Sequence, residues 1–340
     1  METTTPSTPP PDPVEPRALR DVGAEVPATR PPVVDVLPQG PTGYHHFLRT
    51  ERRGWWRGAL AVLLTAVLFL LLQVAVSIPL VVVQALTGWE LIRVDGANMV
   101  MTPGLLLATN VSIGLMIPVS MLLQRMLFGQ RGRWLHSVHG RFRWGLSLRL
   151  AAILVPVWLV YAVVLTWFFP AAAGAGGAAP TLLSTLTMLA VVVLTTPFQA
   201  AGEEYAARGL LARAFGSWFA SPRAALVAAL IGPNLIFMVA HGAGDWTLAL
   251  YYLAFGVACS LITWRTGGLE AAVVLHAVNN TVLFGISAFL TSEVVIDRSA
   301  GSGGAMMLIP GAMMALVTVA VWIWSRRRDV PRAADPRPLA

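Results

Sequence analysis

Eight runs of apolar residues are the feature that most limits what this chain can fold into. They cover residues 58–86, 104–123, 150–169, 181–215, 224–241, 246–264, 269–290 and 305–324. A hydrocarbon core is crossed by about 20 apolar residues in a helix, and most of the runs have that length. The fourth is too long for a simple span at ~1.5 Å per residue. A soluble domain carries about 25% charged residues; this chain carries 12%, with 56% hydrophobic. Backbone that crosses lipid must satisfy its own hydrogen bonds, which leaves helices as the spanning elements. The expectation is an all-α polytopic membrane protein of about eight transmembrane helices, with a polar cavity between them.

The net charge is +7 and comes from arginine alone, since the 340 residues contain no lysine. That bias points to GC-rich coding and a bacterial source. The arginines flank the spans, so retention of positive charge on the cytoplasmic side explains them and no nucleic-acid partner is called for. Eight spans put both termini on one side. The connections there hold Arg125, Arg131, Arg133, Arg141, Arg143, Arg149, Arg213, Arg223, Arg265 and Arg326–Arg328; the other side holds Arg93 and Arg298. The expected location is a bacterial cytoplasmic membrane with both termini in the cytoplasm. The first apolar run starts too far in and is too long for a cleavable signal. The lone Cys259 leaves no internal disulfide framework.

Residues 1–50 hold eleven of the 24 prolines and read as a disordered cytoplasmic tail. The membrane domain follows over 51–328, and 329–340 is a short C-terminal tail. Within 124–149, interspersed arginines with Trp134, Phe142 and Trp144 suggest a segment lying on the membrane surface, with His136 and His139 solvated there.

Polar residues inside spans are expensive and mark functional sites by default. In FQAAGEEYAARGL, Glu204 and Arg208 are four apart and share a helix face. Glu203 points roughly 100° away and has no built-in partner, which leaves it free for acid–base work. A blander reading sets both glutamates in the headgroup region beside arginines. In the fifth run, Asn234, Phe237 and His241 follow three-to-four spacing, and Pro233 should kink the helix. His241 alone is equally an interfacial histidine. In the seventh run, His276 and Asn280 are four apart, either a satisfied core pair or part of a site whose carboxylate comes from another helix.

EExxxR, then FxxxH (Phe237 to His241), then HxxxN (His276 to Asn280), in that order on three successive apolar segments, resembles the CPBP family. These are intramembrane endopeptidases related to the CAAX prenyl protease Rce1 and to bacterial Abi proteins. The resemblance covers residues 180–290, with GEEYAARGLL and LHAVNNTV as its first and last motifs. It implies hydrolysis of a peptide bond in a membrane-tethered, lipidated or hydrophobic peptide. Glu203 with His241 would activate a water, and His276 with Asn280 would bind a metal or stabilise the oxyanion. Glu204 would join them or, with Arg208, hold the geometry; Asn234 and Phe237 would support the site. Two mechanisms share these residue types, one with zinc on Glu203, His241 and His276 and one without metal. Two other readings stand beside the protease: a non-catalytic immunity or scaffold protein on the same fold, and an ion-coupled transporter. Counting residues from the turns near 217–222 and 267–268 puts Glu203, His241 and His276 at different depths, so straight helices alone would not bring them together.

Overall fold

In the computed structural model the described residues are 1–2, 35–95, 98–170, 178–291, 294–295 and 297–336. Residues 3–34, and with them most of the expected tail, lie outside the described residues, as does much of the glycine/alanine-rich connection at 170–180. The unit Asp35–Ala340 contains every helix considered below.

The helices are α1 (Trp55–Thr87), α2 (Pro103–Gly114), α3 (Met116–Phe128), α4 (Arg133–His136), α5 (Trp144–Phe168) and α6 (Leu182–Glu204). After a π-helical segment at Tyr205–Leu211 come α7 (Ala212–Ser217), α8 (Pro222–Ala240), α9 (Trp246–Thr266), α10 (Glu270–Leu290) and α11 (Leu308–Arg327). Among the described residues, eight helical stretches are long and apolar enough to cross a membrane, one for each apolar run of the sequence. The fourth stretch, Leu182–Ser217, is α6, the π segment and α7 in series.

Local chemistry explains the boundaries. α1 stops at Gly88, whose φ of 71° is the left-handed closing turn that glycine adopts without strain. α2 opens with Pro103 at its first turn, and the Thr102 hydroxyl accepts from the Leu105 N–H. α6 opens with a reciprocal Thr181–Ser184 cap. α6 then packs chiefly against α10 and α2. Gly202 makes this approach possible: a Cβ there would lie 2.0 Å from the Ile113 carbonyl oxygen. Exposed apolar side chains such as Leu63, Leu70, Leu194 and Val239 face outward, as lipid requires.

Short strands close the two ends. β1 (Thr42–Gly43) pairs antiparallel with β5 (Ala333–Ala334), so the two chain flanks meet at one end. β2 (Arg93–Asp95), β3 (Asn98–Met101) and β4 (Val294–Val295) form a small antiparallel sheet.

Three expectations change. Residues 35–50 are an ordered arm, not tail: Tyr44, Phe47 and Leu48 are buried, and the Tyr44 hydroxyl donates to the Leu135 carbonyl. Gln130 donates to the Val36 and Phe47 carbonyls, at 3.0 Å each. The arginine-rich segment is held by the protein core as well as by any surface it lies on. Trp134, Leu135 and Val138 join a core with Tyr44, Phe47, Tyr205 and Leu269, and His136 bonds the Tyr205 hydroxyl. Arg213, expected to mark the cytoplasmic surface, is fully buried. It donates to Gln124 (2.7 Å) and the Trp134 carbonyl (3.0 Å), and its guanidinium lies over the Tyr44 and Phe47 rings.

For His276 the depth problem resolves through the same segment. Leu269 N–H donates to the His136 carbonyl, and Val138 N–H to the Gly267 carbonyl, both at 2.9 Å. The 267–268 turn is therefore tied to the level of Tyr205, not to the level of the 217–222 turn. His276 needs only two helical turns from there to reach the glutamates. α8 runs unbroken through Pro233.

Candidate active site

Glu204 is the most enclosed member of the constellation. It has no exposed surface, and its Oε1 accepts from Arg208 Nη1 at 3.1 Å and from His276 Nδ1 at 2.7 Å. The first bond is the four-residue pair that the sequence spacing implies. It survives although the helix widens into a π segment immediately after Glu204, a local irregularity frequent at functional sites. The Arg208 guanidinium lies 4.2 Å over the Phe237 ring, which is apolar support for a cation removed from water.

Glu203 takes the other direction. Its Oε1 accepts from Gln199 Nε2, one helical turn back. Its Oε2 is buried with no hydrogen-bond partner and lies 3.6 Å from His276 Nε2. A neutral imidazole that donates from Nδ1 to a carboxylate keeps the lone pair on Nε2. Two acceptor atoms thus face each other across 3.6 Å, too far for a direct hydrogen bond. The Phe255 ring meets His276 edge-on at 4.8 Å and closes one side.

His241 follows the last turn of α8. Its Nδ1 donates to the Phe237 carbonyl at 2.8 Å, and its ring lies between Phe237 (4.3 Å) and Tyr252 (4.0 Å), tilted against both. The structure brings Glu203 against His276; among the described residues, no hydrogen bond joins His241 to either glutamate. Asn280 donates to Gln199 Oε1 at 3.1 Å and so sits one residue removed from Glu203. Asn234 is fully buried, donates to the Leu230 carbonyl (2.7 Å) and exchanges hydrogen bonds with Ser260.

A metal would need more than this set supplies. Catalytic zinc ordinarily takes three protein ligands. Among the described residues, no group of three or more His, Cys, Asp or Glu is gathered closely enough to hold an ion. Glu203 Oε2 and His276 Nε2 make a pair, and His241 is not the third member as arranged.

Sequence reasoning missed the wall contributed by α9. A Cβ on Gly256 would lie 2.6 Å from Asn234 Oδ1 and 2.9 Å from Arg208 Nη2; its glycine makes room for both. Tyr252 and Phe255 cover the two histidines. Nothing in an apolar run distinguishes these residues from lipid-facing ones. Gln199 was detectable, since it precedes Glu203 by one helical turn, the spacing that puts the two on one face.

Residues 182–282 match the family model described as type II CAAX prenyl endopeptidase Rce1-like. That stretch contains Glu203, Glu204, Arg208, Asn234, Phe237, His241, His276 and Asn280, all the positions singled out from sequence. No curated protein and no solved structure matches the chain.

Proposed function

We propose, from the match of residues 182–282 to an Rce1-like family model, that this protein hydrolyses a peptide bond in a membrane-tethered, lipidated or hydrophobic peptide. The observation that carries the reading is the pair of facing acceptors, Glu203 Oε2 and His276 Nε2, 3.6 Å apart. One water that donates a hydrogen to each satisfies both and presents its oxygen lone pairs to a substrate carbonyl. A buried acceptor without a donor, as Glu203 Oε2 is, is costly, and such a water removes that cost.

In the proposed reaction Glu203 takes a proton from the water as its oxygen bonds to the carbonyl carbon. His276 holds the water's second hydrogen, its ring fixed by Glu204 in the way a carboxylate fixes a histidine. The tetrahedral oxyanion collapses, the C–N bond breaks, and the proton on Glu203 passes to the leaving amine. Glu204 and Arg208 neutralise each other and hold His276. The remaining Asn280 amide hydrogen is available to the oxyanion. This gives His276, not His241, the water-holding role; His241 lines the approach. No step is routed through a metal, because the donor set falls one ligand short.

The bilayer is the working environment. The arginine asymmetry favours a cytoplasmic location for both flanks of the membrane domain, and the β1–β5 pairing holds residues 42–43 against 333–334. The test is hydrolysis of pooled membrane-tethered and lipidated peptides by purified protein and by Glu203→Gln, each with and without a strong chelator. The reading expects cleavage by wild type, none by the variant, and indifference to chelator. Cleavage lost in chelator moves the mechanism to the zinc alternative. Equal cleavage by the variant overturns the assignment. Cleavage by neither points to the non-catalytic immunity or scaffold role.

A further inference from the structure

We propose that Trp158, Asn279 and Gln199 are positioning residues that aim Glu203 through a one-way chain of hydrogen bonds; the proposal rests on the reading of Glu203 as the base. Trp158 on α5 is fully buried, and its Nε1–H donates to Asn279 Oδ1 at 3.1 Å. Asn279 Nδ2 donates to Asn280 Oδ1 at 3.0 Å, and Asn280 Nδ2 donates to Gln199 Oε1 at 3.1 Å. Gln199 Nε2 then donates to Glu203 Oε1. The chain crosses from α5 to α10 to α6 and ends on the atom next to the free oxygen of the site.

The direction of this chain is forced. A single side-chain amide can face either way, and its orientation follows from its neighbours. Here the first member can only donate, because an indole has no acceptor atom. The last, an ionised carboxylate, can only accept. Between a donor-only end and an acceptor-only end, three amides in series have one self-consistent arrangement. Each bond in such a series polarises the next. Glu203 Oε1 is therefore the oxygen held by Gln199, and Oε2 is the one that faces His276. Asn280 accepts from Asn279 through its carbonyl, and its amide nitrogen carries a second N–H beyond the one given to Gln199.

Packing alone does not account for this use of Trp158. Its rings lie in the large core with Leu154, Phe255 and Leu275, and a phenylalanine would fill much of that space. The indole N–H is what phenylalanine lacks. Trp158 also stands outside residues 182–282, the matched stretch, so the chain recruits a residue of the less diagnostic half into the site.

The decisive experiment compares Trp158→Phe with wild type in two measurements. The first is steady-state hydrolysis: kcat should fall about tenfold, the low end for losing an outer-shell hydrogen bond, with KM within about twofold. The second is infrared spectroscopy of the Glu203 carboxylate band, identified by its absence in Glu203→Gln. The band should shift in Trp158→Phe. Asn279→Leu, which breaks the chain one bond further on, should shift it in the same direction and serves if Trp158→Phe folds poorly. An unmoved band in folded protein overturns the proposal, as does a change confined to KM. The band responds whether or not a peptide is cut. A shifted band in a protein that cleaves nothing therefore keeps the chain and removes the reaction, while an unmoved band in an active protease does the reverse.

Discussion

Two clusters of buried charge share helix α10, six residues apart, and they are built to opposite rules. At its first residue, Glu270 is fully enclosed and wholly spent. Its Oε1 accepts from the Arg143 backbone N–H (2.9 Å) and Nε (2.8 Å), and its Oε2 from Arg143 Nη2 (2.7 Å). That is the two-pronged geometry in which a guanidinium and a carboxylate match best. About 9 Å further along at ~1.5 Å per residue is His276, and around it are polar atoms left over. Glu203 Oε2, Arg208 Nε and Arg208 Nη2 are buried with no hydrogen-bond partner. Each such atom costs about 1–3 kcal/mol, more when charged. Buried charge by itself therefore does not identify a site in this protein. What sets the second cluster apart is an unspent carboxylate oxygen, Glu203 Oε2, that faces another acceptor, His276 Nε2.

The largest test of the contrast is Glu203→Gln. Removing a general base typically costs between about 10² and 10⁴ in rate, so hydrolysis should fall in that range, read as kcat on a cleaved peptide. The melting temperature in detergent should stay close to wild type, because the lost oxygen had no partner to leave behind. A variant that melted far below wild type would place Glu203 in the structural class with Glu270.

Arg143→Ala is the mirror experiment. It strands a fully enclosed carboxylate, and breaking a buried pair in this way costs about 3–5 kcal/mol. Thermal unfolding in detergent should show a large loss of stability. Whatever protein remains folded should keep its kcat, since the pair touches none of the site atoms. A fall in kcat with stability intact would mean that the two clusters are not independent.

Gly256→Ala probes the boundary between the classes. The added methyl would press on Asn234 Oδ1 at 2.6 Å and Arg208 Nη2 at 2.9 Å. Overpacking costs about 1–3 kcal/mol, and part of it should appear as displacement of Arg208 from Glu204. The expected outcome is a modest loss in melting temperature with a larger fractional loss in kcat. Stability lost with kcat unchanged would show that Arg208 tolerates displacement.

How much of this was legible in the sequence follows from the range of each interaction. The spans were legible because an apolar run is a local signal. The Glu204–Arg208 bond was legible because it follows from helical periodicity. The contact of Glu203 with His276 joins residues far apart in the chain, and only the resemblance of three ordered motifs brought them together. Depth was misjudged because counting from turns takes the turns to be level, and the His136–Leu269 and Val138–Gly267 bonds set one of them deeper. The arginines misled for a different reason. With no lysine in the chain, arginine serves both as a surface charge and as a structural fork; Arg213, fully buried, and Arg143, partly buried, are of the second kind. Residues 35–50 looked like tail because proline and polar residues dominate the stretch before them, while their anchors are single side chains.

The smallest effect should come from one of those anchors, whose main partner, Arg131, is half exposed and can be solvated when the bond is lost. Asp35 accepts from the Arg131 N–H (2.7 Å), Arg131 Nε (2.8 Å) and Trp134 Nε1 (3.0 Å). Burial alone would raise the pKa of its carboxyl. The hydrogen bonds from Arg131 and Trp134 outweigh that and hold it below its ordinary value of 3.8. A carboxyl lowered on folding contributes stability that is present above its unfolded value and lost as pH falls through the folded one. The arm should therefore be fully docked at neutral pH and loosen only in acid, below about pH 4. Asp35→Asn should cost about 1 kcal/mol and flatten that acid dependence, measured as protease cleavage within residues 35–50 across a pH series. Hydrolysis should be unaffected at neutral pH, because the arm reaches Arg213 but none of the atoms around His276. If Asp35→Asn lowered kcat at neutral pH, the saturated and unsaturated clusters would have to be read as one coupled network.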